Sequence, residues 1–158
     1  MNSSSPALPP AVEKLRSLFL DVVAKLEFIA PTLTRVALGV LFIKTGWGKL
    51  NNLDGVTEFF TSLGIPMPHL NAIMAAATEF GCGALLVAGL FTRLAAIPLS
   101  VTMVVATLTA KRADIEGWNS FFGLAEVTYI LLFIWLIVRG AGPLSLDAVL
   151  ARKFPRKG

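Results

Sequence analysis

The residue with the most chemical promise is Glu79, the one ionisable side chain in the 23-residue apolar run Leu70 to Thr92, LNAIMAAATEFGCGALLVAGLFT. At about 1.5 Å per residue such a run crosses roughly 30 Å of hydrocarbon and puts the carboxyl group near its middle. A lone carboxylate there is costly, so it must face other helices, carry a proton or meet a cation, and a functional site is the default reading. Lys44 and Glu126 lie in other apolar runs at overlapping depths, with Tyr129 one helical turn beyond Glu126. These spacings predict a polar pocket in which Glu79 meets Lys44, assisted by Glu126 and Tyr129. Lys49 stands near its outer edge and Arg35 near its inner edge. Such a pocket holds a proton or the polar head of a lipid-soluble substrate; the competing reading is that Glu79 only locks helices together.

Other chemistry is thinly supplied. Cys82 is the sole cysteine, which excludes an internal disulfide or a CxxC pair, and it reads as packing. His69 is the sole histidine and no cysteine lies at ligand spacing, so no metal site is expected. There is no bis-histidine arrangement for haem, no GxGxxG after a strand and no HExxH. No intrinsic cofactor is therefore expected. Any part in electron transfer must come from holding a quinone or from supporting a subunit that bears the redox centre.

The elements that must position these groups are helices. Val12, Leu15, Leu18, Phe19, Val22, Val23 and Leu26 recur at helical spacing with charges mostly on the other side, predicting an amphipathic interfacial helix over residues 12–29. Four spans follow: about Ala30 to Leu50, Leu70 to Leu90, Leu94 to Ala110 and Ser120 to Val138. Gly39, Gly46 and Gly48 in the first and the many small residues of the second favour close helix approach. Pro98 is placed to kink the third, with its freed carbonyl available to Ser100 or Thr102. The loop 51–69 carries Phe59 and Phe60 on a short interfacial helix. The expected class is all-α: an integral membrane four-helix bundle with an N-terminal amphipathic helix, spanning residues 30–140. Residues 1–11 read as a disordered tail without the pattern of a secretory signal, and 141–158 as a short basic cytoplasmic tail.

Composition agrees. Of 158 residues 55% are hydrophobic and 15% charged, well below the roughly 25% charge of soluble domains. The net charge of +4 collects at the chain ends and forms no basic stripe, so no nucleic-acid partner is expected. Lys14, Arg16, Lys25, Arg93, Arg139, Arg152, Lys153, Arg156 and Lys157 fall on one side of a four-span topology, which predicts both termini in the cytoplasm.

The stretches LTRVALGVLFIKTGWGKL (Leu33 to Leu50) and ATEFGCGALLVAGLFTRLAAIPLS (Ala77 to Ser100) resemble the DoxX-like family of small four-helix membrane proteins. Arg35, Gly39, Gly46 and Lys49 match its first-helix pattern. Glu79, Gly81, Gly83, Gly89, Thr92 and Arg93 match its second-helix and turn pattern. The family takes its name from a subunit of a thiosulfate:quinone oxidoreductase, and other members look like partners in defence against oxidative or thiol stress. The resemblance implies a multi-pass protein of the bacterial inner membrane, in a quinone-linked or stress-related redox system. Its implied partners are the lipid bilayer, a quinone or redox-enzyme subunits, and further copies of the chain in a homo-oligomer. A noncatalytic scaffold or assembly role and a small-solute or proton-linked transporter stay open beside it, as does whether the chain is an enzyme. Lys44 and Cys82 match no family motif.

Overall fold

The computed structural model describes residues 9–153. Eight α-helices follow in order: α1 Pro10–Leu26, α2 Ile29–Leu50, α3 Leu53–Ser62, α4 Pro68–Ala88, α5 Thr92–Leu108, α6 Trp118–Gly123, α7 Ala125–Arg139 and α8 Leu146–Lys153, with a 3-10 turn at Arg112–Asp114. Helix α1 starts at Pro10, within the stretch expected as a tail, because a proline at the first helical positions lacks only an N–H that would have no partner there. Residues 1–8 of that expected tail lie outside the described residues.

Helices α2 and α4 are joined by a sequence pattern that each carries. In α2, Arg35, Gly39, Phe42 and Gly46 are buried at alternating spacings of four and three, and Lys49 continues the row. In α4, Ala72, Ala76, Glu79, Gly83 and Leu86 repeat the same spacing. A 4-3 repeat keeps one face turned to one neighbour. Gly39, Gly46, Ala72, Ala76 and Gly83 are the small members of these rows, and there the two backbones approach closely: a side-chain carbon on Gly83 would stand 2.8 Å from the Ile43 backbone nitrogen and 2.9 Å from the Gly39 carbonyl. Helix α5 packs on α7 and on α4, and α3 lies along α4. Leu38 and Phe42 of α2, Leu86 of α4, Leu99 of α5 and Phe133 and Leu136 of α7 meet in one buried apolar core.

Outside that core the surface is apolar too. Leu33, Val40, Leu94, Val101, Leu108, Leu131 and Val138 are each more than half exposed. Water would be a poor solvent for such a girdle, and hydrocarbon is a good one. Among the described residues two stretches are long and apolar enough to cross a membrane, Pro10–Leu50, taken as one run, and Pro68–Ala88. The fold is thus that of a helical membrane protein. The remaining expected spans are shorter: α5 has 17 residues and α7 has 15. The fourth expected span is broken, because Leu124 takes an extended conformation between α6 and α7 (ψ 133°). Residues 120–138 are apolar enough to read as one span, but one extended residue ends one helix and starts another.

The C-terminal segment, expected as a tail, instead folds back on the helix ends. Ser145 accepts from the Ala148 N–H at 3.2 Å and starts α8. Asp147 accepts from the Phe91 and Thr92 N–H groups at 2.7 and 3.0 Å, capping α5, while its own N–H donates to the Gly89 carbonyl at 2.9 Å. Gly89 closes α4 in a left-handed turn (φ 66°), with Leu90 N–H bonding the Leu85 carbonyl and Gly89 N–H the Leu86 carbonyl.

Candidate functional site

Glu79 is 1% exposed, midway along α4. Its partner is Lys49 in the last turn of α2: Lys49 Nζ and Glu79 Oε1 form a direct ion pair, with the lysine side chain 30% exposed. The antiparallel crossing explains the choice. Gly46 packs on Ala76 and Phe80, so Lys49, one turn further along α2, reaches back along α4 to Glu79. The other oxygen, Glu79 Oε2, is buried and accepts no hydrogen bond among the described residues.

The expected pairing with Lys44 is not formed. Lys44 is exposed on the outside of α2. It precedes Lys49 by five residues, which at about 100° each turns it roughly 140° away from the α4-facing row. Glu126 is half-buried in the first turn of α7, where a negative charge complements the helix N-terminus, and makes no hydrogen bond to Glu79 among the described residues. Tyr129 packs edge-on against Phe42, ring centroids 5.8 Å apart, and belongs to the core margin rather than to the ion pair.

Arg35 is buried (4% exposed) at the opposite end of the α2 row. It donates to the Leu86 carbonyl at 3.0 Å, the Val87 carbonyl at 2.7 Å, the Ala141 carbonyl at 3.1 Å and the Leu144 carbonyl. The last carbonyls of α4 lack the usual donor four residues on, the Leu86 carbonyl taking only the Gly89 N–H of the closing turn, and a guanidinium suits their number and their negative dipole end. The predicted set therefore divides: Glu79 and Lys49 at one place, Arg35 closing helix ends at another, and Lys44, Glu126 and Tyr129 in neither.

A cavity of about 570 Å³ opens beside the ion pair. Glu79 and Lys49 are its charged groups, Asn71, Thr78, Thr102 and Thr109 add uncharged polar side chains, and the rest of the wall is apolar, with Phe59 and Phe60 from α3, Met74 from α4 and Val101 from α5. Its size suits a small organic ligand, and a mostly apolar wall with a few convergent polar groups is the usual make-up of such a site. Helix α3, expected only at the interface, folds against this wall. The signal was present in the paired phenylalanines, and Thr57 ties α3 to the start of α4 through a 3.2 Å contact between its hydroxyl and His69 Nδ1. Asp147 too was outside the expected set, since its role depends on residues 55 and 56 positions away.

These features define a small helical membrane protein with a buried acid–base pair at the wall of an apolar cavity. Residues 30–112 match the DoxX family model, and the chain belongs to that family. It is 33% identical over 124 residues to "Inner membrane protein YphA" of Escherichia coli, covering 73% of this chain and 86% of that protein. It is 28% identical over 130 residues to "Inner membrane protein YqjF" of the same organism, covering 82% and 98%. With "Putative oxidoreductase CatD" of Bacillus subtilis the identity is 34% over 121 residues, covering 75% and 85%. No solved structure gives a significant match.

Proposed function

We propose that this chain is an inner-membrane component of a quinone-linked redox system, and that the cavity beside Glu79 receives the head of the lipid-soluble carrier. The carrying observation is the buried Oε2 of Glu79, left without a donor at the wall of an apolar cavity whose other polar end is the Lys49 ammonium. A quinone carbonyl accepts from the ammonium, and a quinol hydroxyl donates to the carboxylate, so one pair serves both oxidation states. The name of the Bacillus relative speaks of an oxidoreductase and the names of the two Escherichia coli relatives place those proteins in the inner membrane, which supports the same reading for this chain. In this reading α2, α4, α5 and α6–α7 form four crossings with both termini on the cytoplasmic side.

The experiment is titration of a short-chain quinone and its quinol into the protein in lipid nanodiscs, followed by tryptophan fluorescence. Binding is expected, and Glu79→Gln should weaken quinol binding roughly tenfold, the worth of one charge-assisted hydrogen bond. No binding to the native chain, or equal binding to the Gln variant, refutes the proposal. A scaffold role is the second reading, favoured by the fact that the Lys49–Glu79 pair joins the same two helices whose glycines touch. It predicts that Glu79→Gln loosens α2 from α4 while no quinone binds at all.

A further inference from the structure

We propose that the recess between the α4–α5 turn and the α7–α8 loop binds the phosphate of an anionic phospholipid headgroup. This recess, about 720 Å³, lies at the opposite end of the helices from the cavity beside Glu79. Arg93 from the first turn of α5 and Arg139 from the last of α7 line it, together with Phe91, Leu94, Ala148 and Ala151. Since α4 spans about 30 Å from Pro68 to its end at Ala88, a recess beside that end sits at headgroup depth.

The two arginines are placed for an anion. Arg93 Nη2 donates to the Val138 carbonyl at 3.2 Å, and its guanidinium lies close over Gly140, where a side-chain carbon would come within 3.2 Å of Nε. Gly140 has φ 82°, a conformation that favours glycine, so the backbone itself keeps this space open for the guanidinium. The remaining N–H groups of Arg93 have no acceptor among the described residues. Arg139 pairs with Glu27, but the two side chains are 49% and 60% exposed, a pair that a phosphate can displace. The one carboxylate in the lining, Asp147, has both oxygens committed to the N-terminus of α5. Arg152 follows Ala148 of the lining by four residues, on the same face of α8.

The apolar surroundings select a lipid over a free anion. Phe91 and Leu94, both in the lining, are each more than half exposed, so the phosphate position is continuous with surface that acyl chains can cover. Inorganic phosphate gains nothing from those side chains.

The test is native mass spectrometry of the full chain after exchange into mixed phosphatidylglycerol and phosphatidylcholine, with inorganic phosphate added in a parallel arm. Phosphatidylglycerol should be retained in preference. Arg93→Gln and Arg139→Gln should each lower its retention by roughly fivefold, the effect of one basic group at an anionic surface. Arg112→Gln, at the other end of the helices, should leave it unchanged. Equal retention of the two lipids, an unchanged ratio in both variants, or displacement of the lipid by millimolar phosphate overturns the proposal. Thermal unfolding in phosphatidylcholine alone reports whether each variant folds. If Arg93→Gln does not, Arg139→Gln decides, since its side chain pairs only with the exposed Glu27 among the described residues.

Discussion

Two glycines two residues apart on α4 should respond oppositely to the same substitution. At Gly83 an added methyl would stand 2.8 Å from the Ile43 nitrogen, 2.9 Å from the Gly39 carbonyl and 3.2 Å from a side-chain carbon of Ile43. Two of those three neighbours are backbone and cannot swing aside, so α2 and α4 must separate by several tenths of an ångström to restore ordinary contact. Overpacking of this kind costs about 1–3 kcal/mol, and rigid neighbours put it toward the upper end. The separation also loosens Gly46 against Phe80 and the reach of Lys49 to Glu79, since all three contacts lie along one seam. Against this stands the helix-forming advantage of alanine over glycine, about 1 kcal/mol. The net for Gly83→Ala is a loss of about 2 kcal/mol, a shift of roughly thirtyfold in the folding equilibrium.

At Gly81 nothing lies within 4 Å of the added carbon, so Gly81→Ala keeps only the propensity gain and should be neutral or slightly stabilising. The assay is reversible unfolding of both variants in mixed micelles with increasing denaturing detergent, read by circular dichroism. The two proteins are isomers, so composition and detergent binding cancel in the comparison. Equal midpoints would refute the claim that glycine is required at Gly83 by backbone contact, and a lower midpoint for Gly81→Ala would invert it.

Two further outcomes follow from the end of the molecule that Arg35 closes. Arg35→Lys keeps the charge but replaces a planar fork by one ammonium, which cannot serve four carbonyls spread over α4 and residues 141–144. A loss of about 3 kcal/mol is expected, together with faster proteolysis between residues 140 and 147; an unchanged cleavage rate would show that other contacts hold this segment. Asp147→Ala should cost about 1–2 kcal/mol by uncapping α5, with Asp147→Asn recovering part of it because an amide oxygen still accepts; the melting temperatures of the three proteins in one detergent give the ranking.

What could be read from residues alone follows a physical division between depth and direction. Position along an apolar run gives depth, and on that measure Lys44, Glu79 and Glu126 fall at overlapping levels, with Lys49 nearer the outer edge. Direction around the helix decides which of them meet, and it is written in the row Arg35, Gly39, Phe42, Gly46, Lys49: the alternating spacings of four and three hold one face, and Gly39 and Gly46 mark it as the side that a neighbour approaches. Lys49 is on that row and Lys44 is nearly opposite it. Gly48 and Gly81, chosen by residue type with the others, face open space, because glycine is informative only where its azimuth coincides with the seam. The break at Leu124 and the return of Asp147 to the α5 N-terminus had no such signal. The first is one extended residue in a run apolar enough to read as a single span, and the second is a contact across more than fifty residues whose local sequence shows only that a helix begins. The cavity beside Glu79 stands between these cases. Its acid and its base lie on rows that the sequence displays, whereas its aromatic wall depends on α3 folding back over α4, a choice made by tertiary packing. Its polar groups were therefore legible as types before their partner and their enclosure were.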